Sequence, residues 1–133
     1  MEDALIFDTT FLVDFQREAR RGDTAGPAHR FLEAHGDATM AVPFAVVGEF
    51  AEGFDHKQHA ALYAAIARFE VLPGDTETAL RYGALTRSLR AAGRLIGTND
   101  LWIAACALRH SRALVTRNAD EFSRVPGLRV VRY

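Results

Sequence analysis

The chain has 133 residues, 49% of them apolar, and a formal net charge of −1 at pH 7. That suffices for one ordinary hydrophobic core and lacks the positive excess of a protein that holds nucleic acid by bulk charge. The single Cys106 excludes an internal disulfide and a cysteine-rich zinc site, and it suits a reducing cytoplasm. No apolar run approaches the ~20 residues of a membrane span, and the acidic start Met1-Glu2-Asp3 is unlike a secretory signal, so a soluble cytoplasmic protein without membrane contact is expected.

In chain order, residues 4–7 read as a first strand, and Phe11, Leu12 and Phe15 recur at helical spacing in a helix from about Thr10 to Arg21. The loop 22–27 ends on Pro27, which suits the first turn of a second helix running through His35. Thr39 to Val42 reads as a second strand. Pro43 opens a helix to about Phe54, and a longer one follows from about Asp55 to Phe69, with Leu62, Ile66 and Phe69 on one face. Glu70 to Leu72 is a short third strand. A helix starts at Asp75 or Thr76 and runs to Ala92, where Gly93 stops it, and Thr98 caps another through His110. Ala113 to Thr116 is a fourth strand, Asn118 to Glu121 resembles a capping box, and Leu128 to Arg132 closes the chain as a fifth. With no repeat and no linker, the pattern predicts a single α/β domain over residues 1–133, a mostly parallel sheet of about five strands covered by helices on both faces.

Four places put oxygen ligands where the pattern expects apolar or surface residues. Asp8 ends the first strand, and in open α/β sheets ligands gather beyond strand carboxyl ends. Glu49 lies three residues after Val46 on the stripe that also carries Phe50 and Phe54, where an unpaired carboxylate costs several kcal/mol. Asp100 lies three before Ile103, on the stripe of Ala104 and Ala107. Asn118, Asp120 and Glu121 follow the fourth strand. As plain structure, Asp8 is a helix cap, Glu49 a side chain at the edge of its stripe, Asp100 a first-turn acid favouring the helix dipole, and Asn118 with Glu121 a self-sufficient cap. Taken together, three or four facing acids call for a cation. Oxygen-only donors select Mg²⁺ or Mn²⁺, and the chemistry this suits is phosphodiester hydrolysis.

The stretches "LIFDTTFLVDF", "FAVVGEFAEGF", "RLIGTNDLWIAACAL" and "LVTRNADEFSRVPGLRV", in this order, resemble the PIN-domain ribonucleases, specifically the VapC-type toxins of prokaryotic toxin–antitoxin pairs. The resemblance covers essentially the whole chain. It implies a three-layer α/β/α sandwich, Mg²⁺- or Mn²⁺-dependent endoribonuclease activity, homodimerisation and neutralisation by a VapB-type antitoxin. It also implies that Asp8, Glu49 and Asp100 bind metal, that Asn118 or Glu121 completes the site, and that Thr10 and Thr116 support it.

Among the other residues, Arg81, Arg87, Arg90 and Arg94 run along one helix and its exit towards Asp100. The last three are candidates for holding RNA phosphates, against the plain reading of a solvated face. His56 and His59 lack the third ligand that zinc needs. Trp102 packs at a helix surface or a dimer contact, or stacks on a base. Two other functions fit the pattern less well: a haloacid-dehalogenase-type phosphatase, whose second acid would fall where Thr10 stands, and a catalytically inactive PIN-like binding module.

Overall fold

The structure is a computed structural model that describes residues 4–133; the acidic start Met1 to Asp3 lies outside them. Five strands form one sheet: β1 (Ala4–Phe7), β2 (Thr39–Pro43), β3 (Glu70–Leu72), β4 (Ala113–Val115) and β5 (Val130–Val131). Their order is β3-β2-β1-β4-β5, and every pairing is parallel. The helices are α1 (Thr9–Arg20), α2 (Pro27–Ala34), α3 (Phe44–Ala51), α4 (His59–Ile66), α5 (Thr76–Ala91), α6 (Thr98–Arg109) and α7 (Ala119–Phe122), with a 3₁₀ turn at His56–Gln58. The chain steps outward from β1 to β3 and then returns to the far side of β1. Right-handed crossovers therefore put α1 to α4 on one face and α5 to α7 on the other. The expected three-layer α/β/α arrangement is the one found.

Burial explains the strands. Leu5, Ile6, Phe7, Ala41, Val42, Leu114 and Val115 are all within 2% of fully buried, as a parallel sheet covered on both faces requires. Beneath α1 and α2, Phe7 meets Phe11 at 4.5 Å, Phe69 at 5.4 Å and Phe31 at 5.9 Å between ring centroids. Each ring contributes about 1.5–3 kcal/mol through the surface it removes from water.

Several element ends differ from the sequence expectation. The single helix expected from about Asp55 to Phe69 is a 3₁₀ turn capped by the Asp55 side chain, followed by the eight-residue α4. Gly97, not Thr98, is the cap residue of α6, and Thr98 is its first helical residue. The expected capping box at Asn118 does not form: Asn118 caps no backbone N–H through its side chain. Gly93, at φ 67°, ends α5 as expected, in a conformation that glycine adopts freely.

Candidate active site

The strand order reverses between β1 and β4, and ligand sites of open α/β sheets form at that switch point, beyond the strands' carboxyl ends. Asp8 follows β1 and Thr116 follows β4, so the two meet there. The buried Thr116 hydroxyl donates to Asp8 Oδ2, while Asp8 Oδ1 caps α1 by accepting from Phe11 N–H at 3.0 Å. Thr116 Oγ1 also accepts from Asn118 N–H at 2.9 Å, which fixes the turn into α7.

A cleft of about 300 Å³ opens at this point, and Asp8, Glu49, Asp100, Asn118 and Thr10 all line it. The fold thus brings together the three acids and the flanking residues expected from sequence. Glu49 reaches it from α3, held by the Thr9 hydroxyl on Oε1 and by Asn99 Nδ2 at 3.4 Å on Oε2. Asp100 reaches it from the first turn of α6. Glu121 lies close enough to Asp100 for the two carboxyls to shift each other's protonation. Asn118 Nδ2 at 2.6 Å and Gly97 N–H at 3.3 Å hold Glu121 in place. Asp120 instead turns out to solvent and pairs with Arg132 at 3.1 Å.

The electrostatics follow from that crowding. Burial, offset in part by the bonds from Thr116 and Phe11 and reinforced by Asp14 and Glu49, raises Asp8 to about 6. Burial and the adjacent Glu121, with Glu49 and Asp8 beyond, raise Asp100 to about 7, while Glu121 is lowered. The two carboxyls therefore shift in opposite directions, Asp100 up and Glu121 down. Facing carboxylates settle their repulsion by retaining a proton or by sharing a cation.

Among the described residues, no three His, Cys, Asp or Glu side chains stand ready-clustered around one point. The acids are instead parked on neighbouring donors. Their chemistry, all oxygen and crowded enough to hold a proton, fits a hard divalent cation, and Asp8, Glu49 and Asp100 are the residues that would hold it.

Sequence reasoning missed Thr9 and Asn99, which steady Glu49, and Asp14, Arg17 and Arg117, which also line the cleft. The spacing Thr10, Asp14, Arg17 on one helical face was the signal available. Of the arginines expected to hold RNA, none lines this cleft. Arg87 lies on an exposed face of α5 beside Gly83 and Ser88, and Arg90 and Arg94 are exposed. Trp102 stacks on Tyr82 at 3.9 Å and meets Phe44 edge-on at 5.7 Å, the helix-surface packing that was its plainer reading. His56 and His59 are exposed. No helix among the described residues is long and apolar enough to cross a membrane.

Comparison with known proteins places this geometry. The PIN domain profile matches residues 5–128. Ribonuclease VapC1 of Haemophilus influenzae (strain R2866) is 43% identical over 61 residues, an alignment that spans about half the length of each chain, 46% in both. Ribonuclease VapC1 of Methanocaldococcus jannaschii is 30% identical over 125 residues, covering 93% of this chain and 82% of that one. A chain from the crystal structure of VapBC2 from Rickettsia felis, bound to a DNA fragment from their promoter, superposes with a TM-score of 0.82 at 25% identity over 98% of both chains. The chain belongs to the PIN-domain family, among its VapC-type members.

Proposed function

We propose that the chain is a divalent-metal-dependent endoribonuclease, the toxin of a toxin–antitoxin pair, acting on cytoplasmic RNA and restrained by a VapB-type antitoxin. The observation that carries this reading is the convergence of Asp8, Glu49 and Asp100 on one cleft at the β1/β4 switch point, in a family whose curated relatives carry the name ribonuclease. Homodimerisation belongs to the same reading.

A bound Mg²⁺ or Mn²⁺ supplies Lewis-acid polarisation of the phosphodiester and a water acidic enough to attack it at neutral pH. Asp8, fixed by Phe11 N–H and Thr116, and Glu49, fixed by Thr9 and Asn99, hold their oxygens in set directions before any ion arrives. Asp100 would bind such an ion as its carboxylate, which the ion's charge would favour over the protonated form. Glu121, held by Asn118 and Gly97, adds a negative charge beside Asp100 that a bound cation would offset. The phosphatase reading loses its ground, because Thr10 stands two residues after Asp8, where that chemistry needs a second acid. An inactive binding module has no use for three converging acids.

The test is cleavage of a labelled RNA by the purified chain freed of antitoxin. Cutting is expected with Mg²⁺ or Mn²⁺ and none in excess chelator, and Asp100→Asn is expected to lose at least about 100-fold in rate while melting like the parent. Undiminished cutting by that variant, or cutting in chelator, would overturn the reading.

A further inference from the structure

The cleft is acidic, and RNA is a polyanion, so the carboxylates alone repel the substrate they are proposed to act on. Two guanidiniums line the same cleft, from Arg17 and Arg117. Arg117 directly follows Thr116, the residue tied to Asp8, so its backbone is anchored at the switch point. Its Nε pairs with Asp14 Oδ2 at 3.1 Å. Asp14 Oδ2 also accepts from the Tyr133 hydroxyl at 2.7 Å. The Tyr133 ring packs edge-on against Phe11 at 4.8 Å, and Phe11 is fully buried. A chain of contacts thus runs from the core through Tyr133 and Asp14 to the guanidinium.

An exposed ion pair is ordinarily worth about 0–1 kcal/mol and orients nothing. This one differs because its acid is only 13% exposed while Arg117 is 57% exposed, and because a tyrosine hydroxyl fixes the acid's orientation. Burial, then the bond to Asp14, raises the Tyr133 phenol well above its usual range, so it stays a donor. With Nε engaged, both terminal nitrogens of Arg117 make no side-chain hydrogen bond among the described residues. A guanidinium paired with one acid, whose terminal nitrogens make no other side-chain hydrogen bond among the described residues, can grip a phosphate in two-pronged fashion.

We propose that Arg117, aimed by Asp14 and Tyr133 and assisted by Arg17, grips a backbone phosphate of single-stranded RNA beside the acidic cleft. The proposal rests on the nuclease reading for what happens to that phosphate, but not for its binding. Arg117 and Arg17 touch the substrate; Asp14 and Tyr133 are positioning residues. Phosphate contacts of this kind set the strand's register without reading its sequence.

The experiment measures binding of a labelled single-stranded oligoribonucleotide across a salt series, and KM and kcat for its cleavage. Arg117→Ala is expected to weaken binding and to flatten the slope of log affinity against log salt by about 0.7, one phosphate contact on a single strand. KM should rise about tenfold with kcat changed less, the signature of a contact made equally before and during reaction. Arg117→Lys should recover the salt slope but only part of the affinity, because lysine restores the charge and not the fork. Tyr133→Phe should raise KM by about fivefold, the worth of one hydrogen bond, without a matching loss of kcat. Parental binding and salt slope in Arg117→Ala would overturn the proposal and leave metal-dependent cutting by the parent intact. A parent that binds RNA through Arg117 yet cuts none with either metal would overturn the nuclease reading and uphold this one. A Tyr133→Phe protein that melts lower but keeps the parental KM would show that tyrosine to be structural and overturn its positioning role.

Discussion

Burial and neighbouring carboxylates raise Asp8 and Asp100, while Glu121 beside Asp100 is lowered, so the metal-free cleft resists carrying all its negative charges at once. Both Asp8 and Asp100 have pKa values raised in the fold above the 3.8 of an ordinary aspartate, to about 6 and about 7. Between those limits the native state binds more protons than the unfolded chain, and stability falls wherever that holds as pH rises. In chelator, the contribution of these two acids to unfolding free energy is therefore expected to be fully present below about pH 4 and to be lost as pH climbs through 6 and 7. Asp100→Asn should flatten the upper part of that decline in denaturant melts taken at successive pH values, and added Mg²⁺ or Mn²⁺ should oppose it. A metal-free stability that rises over this window would contradict the arrangement. Asp8, Glu49 and Asp100 were legible in the sequence because an acid on an apolar stripe is locally anomalous. Thr9, Asn99 and Arg117 were not, since nothing in their own neighbourhoods marks them. Their roles come from which helix the fold lays beside which.

Between elements, the least expected contact is that of Glu18, 3% exposed on α1. Its carboxylate accepts from the backbone N–H groups of Ala28 at 3.0 Å and His29 at 2.9 Å and contacts His29 Nδ1 at 2.9 Å, capping α2 from a neighbouring helix. Burial alone would raise its pKa, but the bonds from His29 and Ala28 outweigh that and lower it. This support is present above the ordinary glutamate pKa of 4.5 and is lost as pH falls below it. Gly26 exists to admit this side chain, since a Cβ there would stand 2.3 Å from Glu18 Cδ. Glu18→Ala is expected to cost about 2–4 kcal/mol by leaving buried N–H groups unpaired, and Gly26→Ala a similar amount by expelling the carboxylate. The double variant should cost clearly less than the sum, because the clash disappears with the side chain; additive losses in denaturant unfolding would refute the coupling. In sequence, Glu18 reads as one more acid in "QREARRGD". The strands and most helices were legible from apolar periodicity, whereas α2's cap and the break of the 55–69 segment into a 3₁₀ turn and α4 were decided by tertiary partners and a local Asp55 cap.

At the scale of the molecule, the layered α/β/α arrangement followed from the alternation of strands and helices, but the strand order did not, because alternation alone says nothing of where the chain turns back. That return pairs Leu5 with Ala113 and Phe7 with Val115, and it closes the cleft through the Thr116–Asp8 bond across 108 positions of sequence. A contact this remote needs nearly the whole chain in place before it can form. Ribosomes deliver the chain from its amino end at about 5–20 residues per second, so Asp8, Glu49 and Asp100 all emerge before the strand that seats the first of them. A nascent chain stalled short of residue 113 is expected to carry Asp8, Glu49 and Asp100 yet cleave no RNA, which stalled complexes incubated with labelled RNA and Mg²⁺ would reveal. If the proposed nuclease reading holds, a chain built this way stays disarmed during its own synthesis until the strand that seats Asp8 has been made.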